Sequence, residues 1–170
     1  MQRHFFNVDE INLSEFASVC SQTVSSEDYN FASDIQQRVV IYEGEHIQAL
    51  ISTQQAFDLK SELHHCIKEG PGVVVVRQAF QDIKVIDRAT ELFQEIIDEE
   101  KTSDQHRGDH FAKVGENERI WNALQKFCER DTEAFIDYYN NPVLCFVNEA
   151  WLGPFFQMTS QVNIVKPGGQ

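Results

Sequence analysis

The segment 155–166, with the sequence FFQMTSQVNIVK, constrains the fold of this 170-residue chain more than any other feature. It is rich in aromatic and β-branched residues, a composition that predicts a β-strand. The turn residues Pro167, Gly168 and Gly169 follow it, and a strand that enters a turn normally leads to a partner strand. The sequence ends instead at Gln170. We therefore expect an unpaired terminal strand in an α+β domain whose sheet is incomplete at Gln170.

Composition and charge narrow the class of protein. The chain is long enough for residues 1–170 to form a single domain with its own core, within which 1–50 is the least legible stretch. It carries 27 acidic against 14 basic residues, a net charge of −13. The electrostatic field of this negative charge repels phosphate backbones and anionic bilayers, so we expect neither a nucleic acid nor a membrane as partner. The N-terminus lacks the apolar core of a signal peptide, and no CxxC pair occurs, which predicts a cytoplasmic protein with reduced thiols.

Apolar residues recur at helical spacing through most of the chain, which predicts a helical layer ahead of the terminal strand. Helices are predicted at 13–20, 28–38, 53–70, 82–100, 120–128, 131–139 and 141–152. Strands are predicted at 39–42 and at 72–77, the second of them buried. The expected helix N-caps are Thr53, Asp82, Asp131 and Asn141. A polar loop is predicted at 101–115.

The histidines offer little support for a metal centre. Successive side chains on a helix point about 100° apart, so His64 and His65 cannot easily share a metal ion, and surface histidines are the preferred interpretation. His65 with Glu69 supplies only two ligands. His106 and His110 lie in the polar loop, where a metal or polar-ligand site and an ordinary solvated loop both stay open. The sequence contains no His-x-Asp pair, no glycine-rich phosphate loop in the right context and no Gly-x-Ser-x-Gly motif.

The terminal strand carries amides at alternate positions. Strand alternation places Gln161 and Asn163 on one face, and Val162 and Ile164 on the other. Amide side chains within an apolar strand face either solvent or a ligand, and the pattern leaves both alternatives open.

Several segments, taken together with their order and spacing, resemble the phytanoyl-CoA dioxygenase family over residues 45–170. These are the strand at 72–77 with its following helix, GDHFAK at 108–113, RIWNAL at 119–124, EAWLGP at 149–154 and TSQVNIVKPGG at 159–169. The resemblance implies a helical N-terminal layer followed by the first strands of a double-stranded β-helix, or jelly roll. It also implies Fe(II) and 2-oxoglutarate as cofactors, and hydroxylation of a small molecule or an acyl-CoA ester.

The resemblance carries roles to individual positions. Lys113 matches a lysine that reaches the 2-oxoglutarate, and Asn163 matches an asparagine on the strand that lines the cofactor and substrate pocket. Gln161 shares the neighbourhood of Asn163. Trp121 and Trp151 match positions that are expected to lie in the core.

The metal ligands of the family have no counterpart in this chain. Three features of the family match positions beyond Gln170: the His-x-Asp pair, the second histidine and the arginine that binds the 2-oxoglutarate carboxylate. No metal ligand and no catalytic residue is therefore assigned in this chain. The chain alone is therefore expected to be an inactive part of a dioxygenase. The alternative is a non-catalytic binding or interaction module that lost the metal site. Besides a small-molecule substrate, the expected partner is a second copy, associating through the terminal strand.

Overall fold

The computed structural model describes residues 7–102, 117–165 and 167. Within these ranges the protein is a mixed α+β structure, which confirms the predicted class. Most of the predicted loop at 101–115 lies outside the described residues, and with it His106, His110 and Lys113. No described helix is both long enough and apolar enough to cross a bilayer.

The helices and strands follow one another in a mixed order. The helices are α1 (Leu13–Cys20), α2 (Gly44–Leu50), α3 (Ala56–Lys68), α4 (Lys84–Thr102), α5 (Ala123–Arg130), α6 (Thr132–Tyr139) and α7 (Pro142–Leu152). The strands are β1 (Asp34–Gln36), β2 (Val39–Glu43), β3 (Val74–Arg77), β4 (Asn117–Ile120) and β5 (Val162–Val165). Short 3-10 turns occupy Val8–Glu10 and Ser26–Asp28. The helices predicted at 13–20, 131–139 and 141–152 are thus present, and α2 is additional. Those predicted at 53–70 and 82–100 begin later, at Ala56 and Lys84, and Gln55 instead of Thr53 is the N-cap of α3, so the expected cap at Thr53 is wrong.

The caps at the start of α6 and α7 are those that the sequence predicts. The Asn141 side chain accepts hydrogen bonds from the backbone N–H groups of Val143 and Leu144, at 2.9 and 3.0 Å. The Asp131 side chain accepts one from the N–H of Ala134, at 3.0 Å. Each cap satisfies backbone donors that the first helical turn leaves without a partner. The starts of these two helices were therefore predicted correctly from their strong capping residues.

Three strands form the first sheet, in the order β1-β2-β3. β1 is antiparallel to β2, while β2 and β3 run parallel and are connected through α2 and α3. The helix predicted at 28–38 is wrong, because this stretch makes β1 and a tight turn into β2. Gln37 and Arg38 form the turn at φ 50° and 70°. Two residues in the left-handed region match the twist of a two-residue hairpin.

The strand predicted at 72–77 is present as β3 but is only half-buried. Val74 and Val76 are partly covered, whereas Val75 is 41% exposed. β3 hydrogen-bonds to β2 alone within the described sheet, which leaves it at an edge. The expectation of a fully buried strand is therefore wrong.

The first core lies between this sheet, α2, α3 and α7. Its buried members include Val40, Tyr42, Ile47, Leu59, Leu63, Cys66, Val143 and Phe146. Glu62 of α3 is also buried there, and its carboxylate accepts a hydrogen bond from the Tyr42 hydroxyl at 3.1 Å. The same carboxylate accepts hydrogen bonds from the backbone N–H groups of Asn30 at 2.6 Å and Phe31 at 3.2 Å. Glu62 thus joins α3 to β2 and to the loop before β1.

The second core is aromatic and lies between α4, α5 and α6. The Phe127 ring is fully buried, with its centroid 4.9 Å from that of Phe93 and 5.9 Å from that of Phe135. α4 contributes the remaining apolar stripe through Ala89, Leu92, Ile96 and Ile97. Ile120 of β4 is fully buried against the same cluster.

The unpaired terminal strand is a wrong prediction. β5 pairs antiparallel with β4, and the register places Arg119 opposite Asn163 and Ile120 opposite Val162. The strand is also shorter than predicted, and Phe155 lies outside it at 97% exposed. Within the described residues no third strand joins this pair.

The partner strand escaped prediction because most of it fell between the loop predicted at 101–115 and the helix predicted at 120–128. The helix predicted at 120–128 begins only at Ala123, after Asn122 has turned the chain in the left-handed region at φ 55°. Asn117–Ile120 runs ahead of that turn as β4. A single left-handed residue therefore separates a strand from a helix where periodicity shows only a helix.

Replacement of Glu62 by alanine tests the buried carboxylate. Glu62→Ala leaves the Tyr42 hydroxyl and two backbone donors without their acceptor, and we expect it to lower the free energy of unfolding by about 2–4 kcal/mol. Glu69→Ala is the matched control, because this exposed residue follows the same helix, and its effect should stay within about 0.5 kcal/mol. Urea denaturation measures both. Equal effects of the two substitutions would show that the carboxylate is not a structural anchor.

The buried thiol of Cys66 should be chemically inert in the folded chain. Burial raises the pKa of Cys66 to about 11, and its Sγ lies 3.6 Å from the Val73 carbonyl oxygen. Because the reactive species is the thiolate, iodoacetamide at about pH 8 should modify the exposed Cys20 and Cys145 while sparing Cys66. Mass spectrometry of the peptides reads out each site. Labelling of Cys66 at the rate of Cys145 would contradict this assignment, and labelling in urea confirms that the peptide is detectable.

Candidate functional site on the outer face of the β4–β5 ribbon

Among the described residues, helices pack on one face of the β4–β5 ribbon, and the other face carries exposed side chains. Ile120, Val162 and Ile164 turn toward the aromatic core of α4, α5 and α6. Alternate residues turn the other way, and among them Asn163 and Val165 are exposed. This second surface, with Arg119, Asn163 and Val165 on the strands and Gln161 and Trp121 beside them, is called the outer face below.

A buried carboxylate fixes β4 against the end of α4. Glu118 is 4% exposed, and its carboxylate lies 2.7 Å from the Nζ of Lys101 in the last turn of α4. The hydrogen bond to Glu118 raises the pKa of Lys101, and a second carboxylate, that of Asp98, acts in the same direction. The ammonium group therefore compensates the negative charge that β4 carries inward.

Arg119 and Asn163 form the polar centre of the outer face. They stand directly opposite each other in the antiparallel register, so their side chains share one face. The Arg119 Nε donates a hydrogen bond to Asn163 Oδ1 at 2.5 Å. The guanidinium carbon also lies 5.1 Å from the Trp121 ring centroid, within the range of a cation–π contact. The cation is thus oriented by an amide and by an indole.

The chain that leads into β5 is anchored from behind. The Tyr139 hydroxyl of α6 donates a hydrogen bond to the Ser160 Oγ, 2.7 Å away. Burial raises the pKa of Tyr139, so this phenol remains a neutral donor through the physiological range. Ser160 directly precedes Gln161, and the hydrogen bond therefore positions this amide at the edge of the outer face.

The outer face has the chemistry of a binding surface. A positioned guanidinium and the two amides of Gln161 and Asn163 can hydrogen-bond a carboxylate or another acceptor. Trp121 offers a flat apolar surface beside them. The face contains no serine, cysteine or histidine among its named residues, and therefore no nucleophile or general base of those types.

The described histidines do not build a metal centre. His64 Nδ1 lies 3.0 Å from the Ala150 carbonyl oxygen, and its ring centroid is 5.4 Å from that of Trp151. His65 stands beside the Tyr29 ring at 6.1 Å. Across the described ranges, no group of three or more His, Cys, Asp or Glu residues is arranged to hold a metal ion. Iron does not fit the residues that this part of the structure shows.

The residues singled out from the sequence have different outcomes. Asn163 lies on the outer face as alternation predicted and is brought together with Arg119, while Gln161 directly precedes β5 and is exposed. Lys113 lies outside the described residues. The expectation that Trp121 and Trp151 belong to the core is wrong, because they are 39% and 44% exposed. Each stands at an element end, where its ring covers a polar group instead of filling a core.

Sequence reasoning missed Arg119 and Glu62. The alternation of polar and apolar residues in Asn117–Ile120 could have indicated that Arg119 faces outward, but four residues are a weak strand signal beside a strong helix. Glu62 lies three residues after Leu59 and four before Cys66, on the buried stripe of α3. A carboxylate within such a stripe indicates a buried acceptor.

The correction for Trp121 is testable by alanine substitution. Trp121→Ala removes a partly exposed ring that stacks on Arg119, and we expect a loss of about 1–2 kcal/mol in the free energy of unfolding. Phe127→Ala, the matched aromatic in the core, should cost about 3–5 kcal/mol. Thermal and urea denaturation compare the two. If Trp121→Ala cost as much as Phe127→Ala, Trp121 would be a core residue after all.

Comparison of the chain with protein-family models, with curated proteins and with solved structures found no match. The candidate site is defined by its own geometry.

Proposed function

We propose that this chain is the N-terminal part of a cytoplasmic Fe(II)/2-oxoglutarate-dependent dioxygenase domain similar to phytanoyl-CoA dioxygenase. In this proposal the outer face of the β4–β5 ribbon is one wall of the pocket for 2-oxoglutarate and for a small-molecule or acyl-CoA substrate. The observation that carries it is the placement of Asn163, which lies exposed beside Arg119 on the uncovered face of the ribbon.

The layering of the ribbon supports this proposal. Its inner face packs on α4 and α5 through Ile120, Val162 and Ile164, so a helical layer supports the sheet from one side. Its outer face carries the Arg119–Asn163 pair, and Val165 on the same face is 61% exposed. A sheet with helices behind it and polar groups in front is the arrangement that a jelly-roll pocket wall requires.

The charge of the outer face supports a carboxylate ligand. The whole chain has a net charge of −13, so a dicarboxylate needs a local cation to approach it. Arg119 supplies such a cation among the described residues, and the family resemblance assigns a second to Lys113. The Asn163 Oδ1 accepts from Arg119, which leaves the Nδ2 hydrogens of this amide to donate to a ligand oxygen.

The iron chemistry is not assigned to this part of the chain. Iron supplies the oxidising step in dioxygenases of this type, and the described residues do not form a site for it. The proposal therefore gives the outer face a binding role and no step of the oxidation.

The alternative function is a non-catalytic binding or interaction module with the same helical layer. The observation that favours it is the binding chemistry of the outer face, which needs no metal. The coding sequence directly downstream of Gln170 distinguishes the two functions. A His-x-Asp pair there supports the dioxygenase, and a stop codon at that position supports the module.

Titration with 2-oxoglutarate tests the role of the outer face in the chain itself. In a ¹⁵N-labelled sample, 2-oxoglutarate should shift the side-chain amide signals of Asn163 and Gln161 and the indole signal of Trp121. Asn163→Ala removes one hydrogen bond to a carboxylate and should weaken binding about tenfold or more.

Asn140→Ala is the matched control, because this exposed asparagine follows α6 and is not a residue of the outer face. It should leave the affinity unchanged. The assigned pocket wall would be refuted if 2-oxoglutarate shifted only signals of residues outside the outer face. It would also be refuted if the Asn163 variant bound 2-oxoglutarate as tightly as the unchanged chain.

A further inference from the structure

Helix α1 is the part of the chain least explained by the fold. None of its residues is buried, although it is amphipathic. The large apolar side chains of α1 and of the turn before it are 62–80% exposed, namely Val8, Ile11, Leu13, Phe16 and Val19. An apolar surface of this extent on one short segment is typical of an interaction site.

The apolar residues of α1 form one continuous seam. At helical spacing Leu13, Phe16, Ala17 and Cys20 fall on the same face, while Ser14 and Ser18 fall on the opposite one. Ala17 lies in the middle of the seam, where its small side chain lets another helix approach closely. Glu15 lies about 150° around the helix from the centre of the seam, so its charge does not enter the contact.

The helix is held in place at its C-terminal end. The Arg38 Nη1 donates a hydrogen bond to the Cys20 carbonyl oxygen at 2.8 Å. Val19 and Cys20 also border a cavity of about 440 Å³ that they share with Tyr29 and His65. These contacts place the C-terminal end of α1 beside the β1–β2 turn and the cavity, and they leave its seam on the surface.

We propose that the α1 seam is the contact through which two copies of this chain form a two-fold symmetric dimer. The seam reaches the size of an interface together with Val8 and Ile11 of the preceding turn, and these side chains provide about 500 Å² per copy. A pair therefore buries about 1,000 Å², which reaches the lower limit for a specific interface. A seam with a small residue between large ones is self-complementary, as a two-fold contact requires.

The charge pattern excludes an anionic bilayer as the main occupant. No lysine or arginine occurs between Arg3 and Arg38, whereas basic residues are what binds an amphipathic helix to anionic lipid. Two copies also repel each other through their net charge of −13. Salt screens this repulsion but leaves the apolar seam intact, so the dimer should strengthen as salt is added.

This contact is distinct from association through the terminal strand. β5 already pairs with β4, and four residues offer little additional backbone pairing. The two contacts predict different effects of substitution, because α1 and β5 are separate elements.

Sedimentation equilibrium of the whole chain tests the proposal. A reversible monomer–dimer equilibrium is expected, with a Kd that falls about threefold or more between about 0.05 M and about 0.5 M NaCl. Phe16→Ser should weaken the dimer about tenfold or more, since it removes a large apolar side chain from the seam. Phe16 is not buried in the monomer, so the melting temperature measured well below the Kd, where the chain is monomeric, should not change.

Phe57→Ser is the matched control, because Phe57 is a similarly exposed phenylalanine on α3, and Val165→Thr tests the β5 edge. Both variants should keep the dimer. A chain that stays monomeric at high concentration in both salts would overturn the proposal. So would a dimer that weakens with salt, one that only Val165→Thr disrupts, or one that Phe57→Ser disrupts as strongly as Phe16→Ser.

Discussion

The burial of Phe127 is the packing interaction on which the candidate site depends. Its ring is enclosed by Phe93 of α4 and Phe135 of α6, so three helices meet around one side chain. Ile120 packs against the same cluster and brings β4 with it. Because β5 pairs with β4, the position of Asn163 is determined by a core that lies on the other side of the ribbon. The polar face is thus a consequence of aromatic packing behind it.

A junction around Asn141 links this aromatic core to the first core. Its side chain caps α7, whose residues pack in the first core, and its Nδ2 donates to the Ala79 carbonyl oxygen at 2.8 Å. Nearby, the Phe80 ring stacks on Tyr138 at 5.7 Å between centroids. The loop after β3 is therefore held by residues from the end of α6 and the start of α7. A buried amide that satisfies three backbone groups makes this junction specific as well as stable.

Elements with a strong local signal could be predicted, and those with a weak one could not. Asn141 followed by Pro142 located α7, and Asp131 located α6, because a cap acts within one helical turn. The run Val39–Tyr42 was recognised as a strand from its β-branched residues alone. Asn117–Ile120 was missed because β4 is stabilised by pairing with β5, forty residues away, and by packing on α4. Gln37 and Arg38 were assigned to a helix because neither residue type favours the left-handed conformation that both adopt in the turn.

The sequence by itself determined the α+β class, the extents of α1, α6 and α7, the net negative charge and the alternation that turns Gln161 and Asn163 to one face. These properties follow from composition and from local periodicity, which each segment carries independently. Only the tertiary structure decided that Arg119 stands opposite Asn163, that Trp121 stacks on the guanidinium, and that Glu62 is a buried acceptor. Among the described residues, it also left every residue of α1 unburied. Each of these depends on contacts between residues far apart in the chain. The entropic cost of closing the loop between such residues, and the packing energy that they gain, are not encoded in any local sequence pattern.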